Sequence, residues 1–238
     1  MFQDDIRSAK QRIRERVWSE MEAKGVASFP LPPMGRVPNF KGSELAASRM
    51  RELEEYSSAD VIMVNPDAPQ LPVRRMALLD EKRLLMATPA LRAGLVILDP
   101  KRMDDPARAA TIPGAVKHGK PADLRSVEVD LIVEGSVAVD ACGGRVGKGA
   151  GWGDLEYAVL RESGAADGSV KVVTTVHDIQ MIDDPIPMEP HDMPVDLILT
   201  PTKIVRAETG HPRPDGVIWD KLDPAKRDLV RRMLKAQM

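Results

Sequence analysis

Hydrophobic positions follow two rhythms along this chain. Ile6, Ile13, Val17 and Met21 recur at helical spacing, with Arg7, Lys10, Arg12, Arg14 and Arg16 on the other faces. This predicts an amphipathic helix over 4–24, stopped by Gly25. Residues 29–40 carry Pro30, Pro32 and Pro33 and read as a stiff, irregular connection. Ser43 is placed to cap a second helix bearing Leu45, Ala46, Met50 and Leu53. Beyond Asp60 the rhythm changes to short apolar runs at 61–64, 83–87, 94–98, 129–133, 170–175 and 195–199, with a short edge run at 204–205. Helical stretches are expected at 73–79 and 155–161, and Asp223-Pro224 opens a basic helix running to 235. Alternating strands and helices predict an α/β fold, a mostly parallel sheet flanked by helices. No internal repeat or boundary divides the chain, so residues 1–238 are expected to form one domain. Residues 1–58 would be its helical N-terminal arm, with the proline-rich connection packed on it.

Composition narrows the function classes. Lysine plus arginine number 34 against 36 aspartate plus glutamate, and aromatics are only 3%, which argues against a nucleic-acid surface. No apolar run reaches about 18 residues, so no membrane span is predicted. A single cysteine, Cys142, excludes an internal disulfide framework and fits a reducing compartment, and the chain reads as cytoplasmic.

Candidate chemistry concentrates in Arg145-Val-Gly147-Lys148-Gly149-Ala150-Gly151-Trp152-Gly153-Asp154. Alternating glycines let a loop curl its N–H groups inward, forming a nest for phosphate oxygens. Arg145 and Lys148 can neutralise phosphate charge, and Asp154 can hold a magnesium ion. A strand before and a helix after would complete an anion site at a helix N-terminus. The spacing matches neither the dinucleotide fingerprint nor the Walker loop, since Trp152 or Asp154 and Cys142 stand where those need glycine. The competing reading is a surface loop whose glycines only turn the chain.

These residues resemble the 5-formyltetrahydrofolate cyclo-ligases, or methenyltetrahydrofolate synthetases, whose loop reads Arg-x-Gly-x-Gly-x-Gly-Tyr-Tyr-Asp. Lys10-Gln-Arg-Ile-Arg14 resembles the Lys-x-x-hydrophobic-Arg of that family's first helix. Gln180, Pro187, His191-Asp192, Val195-Asp196 and Thr200 resemble its C-terminal signature. The resemblance implies the fold shared with CoA transferases and ribose-phosphate isomerases. It also implies ATP and Mg2+ as cofactors and a folate-like small-molecule substrate, with no nucleic acid or membrane partner. ATP would phosphorylate a formyl oxygen before ring closure. By the same resemblance, Lys10 and Arg14 would reach the phosphates, and Arg145, Gly147, Lys148, Gly149, Gly151 and Trp152 would form the loop. Arg145, Lys148 and Asp154 would be the catalytic group. Asp154 would be the principal metal ligand and Asp192 a further one. Asp67-Ala-Pro-Gln70 stands where the family's Glu-x-x-Thr touches folate, so Asp67, Gln70 and Trp152 would meet the substrate.

The chain also departs from that pattern. Trp152-Gly153 replaces paired tyrosines, Leu155 replaces an arginine, Val139 replaces a phenylalanine, and Glu134 stands where the family has proline before the glycine of a turn. Phe29-Pro30, the stretch 35–42, Asn65-Pro-Asp-Ala-Pro-Gln70 and Asp154-Leu-Glu-Tyr-Ala158 resemble a divergent, cyclo-ligase-like branch. Three readings follow: a folate cyclo-ligase, an enzyme with the same ATP site acting on another folate- or thiamine-related compound, or a non-catalytic nucleotide-binding regulator. Elsewhere, His191-Asp192 reads as a metal or base pair or as a hydrogen-bonded turn, and His177-Asp178 as structural. Arg36, Asn39 and Lys41 read as ligand contacts or as a lid, and Arg74-Arg75 as helix surface.

Overall fold

The computed structural model describes residues 3–208 and 210–235. Its main sheet is built from β1 (Val61–Val64), β2 (Arg83–Ala87), β3 (Leu95–Leu98), β4 (Lys120–Pro121), β5 (Leu131–Glu134), β6 (Lys171–Thr175), β7 (Leu197–Leu199) and β8 (Ile204–Arg206). They lie in the order β8-β7-β6-β5-β1-β2-β3-β4. The strands from β7 to β2 are parallel, whereas β8 on one edge and β3 with β4 on the other are antiparallel. The sheet is therefore mostly parallel, as the sequence pattern predicts.

Strand β5 occupies the middle, paired to β1 and β6, and all four of its residues are buried. Alternate residues feed opposite faces. Val61, Met63, Ile132 and Val172 pack with Leu155, Val159 and Leu160 of α4 (Trp152–Ser163) and with Val230 of α5 (Pro224–Lys235). Ile62, Val64, Leu131 and Val133 pack with Ala47 of α2 (Ser43–Ser48) and Val73 and Ala77 of α3 (Leu71–Leu79). Burial on both faces explains why these strands read as unbroken apolar runs.

The first helix, α1 (Gln3–Ala23), belongs to a third cluster. Val17, Trp18 and Met21 pack with Phe40, Val137, Ala138, Val146 and Ile186. Ala138–Val139 and Arg145–Val146 form a small antiparallel hairpin. By gripping that hairpin, α1 is held beside the glycine loop, and Lys10 and Arg14 are buried there instead of lying on a solvated face.

Three local expectations are corrected. The hairpin intervenes between β5 and the glycine loop, because Asp140 accepts the N–H groups of Cys142 and Gly144 (both 2.9 Å) and turns the chain back. Helix α2 is capped by Gly42 at φ 89°, with no side-chain cap, so Ser43 is its first helical residue. Arg74 is no surface residue: fully buried, it donates to the carbonyls of Ala110 and Asp67 (both 2.9 Å) and to that of Asn65. Those bonds satisfy a buried guanidinium and brace the connection after β1. No helix among the described residues is long and apolar enough to cross a membrane.

Candidate active site

The glycine loop separates two cavities. The larger, about 630 Å3, is lined by Arg7, Lys10, Arg14, Lys148, Lys221 and Lys226, and also by Glu189, His191 and Asp192. The smaller, about 300 Å3, is lined by Val37, Asn65, Asp67, Pro89, Ile112, Glu134, Trp152 and Glu156. Arg145, Gly147, Lys148, Ala150, Gly151 and Asp154 belong to both. The loop is thus a shared wall, cationic toward one side and carboxylate-rich with apolar flanks toward the other.

The loop's shape explains its sequence. Gly149 and Gly151 adopt φ of 100° and 66°, a region costly for any residue with a Cβ. Gly151 caps α4 without a side-chain hydrogen bond, so the first N–H groups of that helix are left to other partners. Helix α4 begins at Trp152, earlier than the sequence pattern suggests, so Asp154 sits in its first turn.

Arg145 is buried, and all three of its nitrogens are engaged. Nη2 donates to Asp154 Oδ1 (2.6 Å), Nε to Met193 O (3.0 Å) and Nη1 to Gly135 O (3.2 Å). Its charge reaches a ligand through the orientation of Asp154 and the loop. Burial pushes the Asp154 carboxyl up, but Arg145 and the Met193 N–H (3.1 Å) outweigh it and hold the group below the ordinary carboxylate value. Both hydrogen bonds to Asp154 fall on Oδ1.

Lys148 reaches Asp67 Oδ1 (2.7 Å) across the mouth of the smaller cavity. Arg14 Nε donates to Gly147 O (2.6 Å) and pins the loop to α1. Lys10 pairs with Asp192 and with Glu189 (3.3 Å). Glu189, His191 and Asp192 are the one group among the described residues whose donor atoms converge, all within 4.8 Å of one another. Asp154, Asp192, Lys10, Arg14 and the loop are therefore brought together, and Asp67 and Trp152 face the smaller cavity. Gln70 lines neither cavity. It is buried behind the β1 connection, donating to Thr175 Oγ1 (3.1 Å).

Sequence reasoning missed several residues. Lys226 of α5 donates to Ala150 O (2.6 Å) and lies 5.0 Å from the centre of the Trp152 ring, a cation–π contact. The basic C-terminal helix signalled charge but not a partner. Glu134 and Glu156 are buried carboxyl groups, with Glu156 Oε2 accepting from Asn65 Nδ2 (2.7 Å). Burial drives both upward, Glu134 to about 8. Only the departure from the family pattern at 134 hinted at them. The histidine pairs divide: His177 Nδ1 accepts from Ile179 N (3.2 Å) as a helix cap, whereas His191 lines the larger cavity. Asn39 Nδ2 donates to Phe29 O (2.8 Å), bracing its own loop.

A sequence model of the 5-formyltetrahydrofolate cyclo-ligase family matches residues 6–201. A methenyltetrahydrofolate synthase domain-containing protein of Mus musculus is 44% identical over 241 residues, covering 96% of this chain and 65% of that protein. Its Homo sapiens counterpart is 41% identical, covering 96% of this chain and 62% of its own length. The chain thus spans under two-thirds of the curated relatives it matches. The solved 5,10-methenyltetrahydrofolate synthetase of Aquifex aeolicus superposes with a TM-score of 0.52 at 18% identity, over 85% of this chain and 95% of that one. That likeness concerns the fold.

Proposed function

The chain belongs to the 5-formyltetrahydrofolate cyclo-ligase family, and from that premise we propose that it is an ATP- and magnesium-dependent enzyme of cyclo-ligase type. The larger cavity takes the nucleotide polyphosphate and the smaller one takes the acceptor. The observation that carries this reading is the shared wall: a phosphate lying against Lys148 and Gly151 faces both cavities. Phosphoryl transfer needs mainly positioning and charge neutralisation, which this wall can supply.

Each residue has a role in that scheme. Lys10, Arg14 and Lys226 line the polyphosphate side. The open N-terminus of α4 offers N–H groups to the transferred phosphate. Lys148 lies between phosphate and acceptor, and Arg145 holds Asp154 in place. The donor set fits magnesium, which takes one or two carboxylates and completes its shell with phosphate and water. Asp154, whose hydrogen bonds both fall on Oδ1, would hold the ion, with Asp192 as a further ligand. Magnesium bound there neutralises phosphate charge. The acceptor's formyl or similar oxygen takes the terminal phosphoryl group of ATP as ADP leaves, and a ring nitrogen then closes on the same carbon as inorganic phosphate departs.

The acceptor half of the scheme is where this chain departs from the family motif. Glu134 and Gly153 reshape the smaller cavity relative to the family motif, which favours a compound related to, but distinct from, 5-formyltetrahydrofolate. Turnover of 5-formyltetrahydrofolate with magnesium-ATP, followed by near-ultraviolet absorbance of the methenyl product, tests both halves. Turnover that vanishes in Asp154→Asn establishes folate chemistry and the metal ligand together. Magnesium-ATP binding without turnover keeps the nucleotide half and rejects that acceptor. Absence of magnesium-ATP binding rejects the scheme.

A further inference from the structure

The smaller cavity is lined by a carboxyl group with one oxygen that the described residues leave unpartnered. Glu134 is 1% exposed and lines the cavity, and its Oε1 has no hydrogen-bond partner among the described residues. The nearby donors are mostly committed elsewhere, although an Asn65 hydrogen bond also bears on this carboxyl. Asn65 Nδ2 donates to Glu156, the Arg145 nitrogens go to Asp154, Gly135 and Met193, and Lys148 goes to Asp67. A buried acceptor without a partner calls for an explanation, and a ligand donor is the simplest.

Gly153 supports the same point independently. A Cβ added there would lie 2.5 Å from Glu134 Oε2. Any larger residue at 153 would displace the carboxyl, so Glu134 and Gly153 are one structural change written at two sequence positions. The carboxyl occupies room that a side chain from α4 would otherwise fill.

The surroundings limit what can pair with it. Val37, Pro89, Ile112 and Trp152 give the cavity apolar walls, and its volume of about 300 Å3 suits a planar ring system. A metal ion is the poorer match, because the donor atoms that converge among the described residues are those of Glu189, His191 and Asp192. Two in-plane N–H groups match the two oxygens of the carboxyl once it has given up its proton to become a carboxylate.

We infer that Glu134 is a specificity-determining residue, and that the acceptor is a planar heterocycle presenting an amidine-like pair of N–H donors to it. This inference rests on the reading that the smaller cavity receives the acceptor. Gly153 is the second part of the device, kept small so that the carboxyl can stand in the cavity.

Binding of benzamidine and of acetophenone at pH 9, where the Glu134 carboxyl has given up its proton, tests it by ligand-observed NMR, the two being equal in shape but differing in N–H donors and in charge. Wild type should bind benzamidine at least tenfold more tightly. The ratio should collapse toward one in Glu134→Gln, and also in Gly153→Ala, whose added Cβ dislodges the carboxyl without altering its chemistry. A wild-type ratio near one, or a ratio undiminished in both variants, would overturn the inference. Magnesium-ATP affinity measured on the same samples should match wild type in Glu134→Gln. Its absence in wild type would reject the nucleotide site, whereas amidine selectivity lost in the variants would still support the role of Glu134.

Discussion

Glu134→Gln makes the strongest quantitative prediction, because it removes a titratable group and keeps the shape. Burial raises this carboxyl from its ordinary value of 4.5 to about 8. The folded protein therefore retains a proton that the unfolded chain releases between those two values. Wherever the folded state binds more protons, stability falls as pH rises. The contribution is intact below pH 4.5 and erodes up to about pH 8. At about 1.4 kcal/mol per pH unit, the erosion reaches about 3 kcal/mol by pH 7. Urea denaturation followed by tryptophan fluorescence at half-unit steps from pH 4.5 to 8 reads this directly. The variant's stability minus that of wild type should be near zero at the acid end and climb by a few kcal/mol toward pH 8. Groups that titrate alike in both proteins cancel in that difference, whereas Glu156, which the Glu134 charge helps to raise, relaxes downward in the variant and adds to the climb. Parallel curves across the whole window would refute the assignment of a protonated carboxyl to the cavity floor.

Other perturbations address the loop and its supports. Arg145→Met leaves the part-buried Asp154 without its cation and the carbonyls of Gly135 and Met193 without their donor, and should cost about 3 kcal/mol in a urea melt at pH 7. Gly149→Ala should cost about 1–2 kcal/mol because its φ is 100°, whereas Gly147→Ala, at ordinary φ with its added Cβ 3.5 Å from Arg145 Nη1, should cost well under half of that. Lys226→Ala removes the contact over Trp152 and should weaken magnesium-ATP binding about fivefold by calorimetry, the equivalent of about 1 kcal/mol.

Much of the fold was legible because the core strands are covered on both faces. Runs such as 61–64 and 83–87 coincide with strands β1 and β2, since continuous burial leaves a continuous apolar signal. Strand order and the antiparallel edges were not readable, because they depend on pairings between distant segments. The glycine loop announced itself through φ requirements at Gly149 and Gly151, which are local. Arg74 misled for the opposite reason. A charged residue on a short helix looks solvated until the carbonyls of Ala110, Asn65 and Asp67 are folded around it. The role of Arg145 was similarly hidden, since Met193 and Gly135 satisfy it from 48 and 10 residues away. Glu134 was visible only as a departure from the family pattern, and its meaning required Gly153, which approaches it in space.

The central claim is that polyphosphate and acceptor meet at one shared wall of the glycine loop. A crystal structure with magnesium and a non-hydrolysable ATP analogue tests it most directly. Triphosphate density is expected in the larger cavity, with the terminal phosphate against Lys148 and the N-terminus of α4 and magnesium on Asp154. Triphosphate density in the smaller cavity against Glu134, or away from the loop altogether, would contradict it.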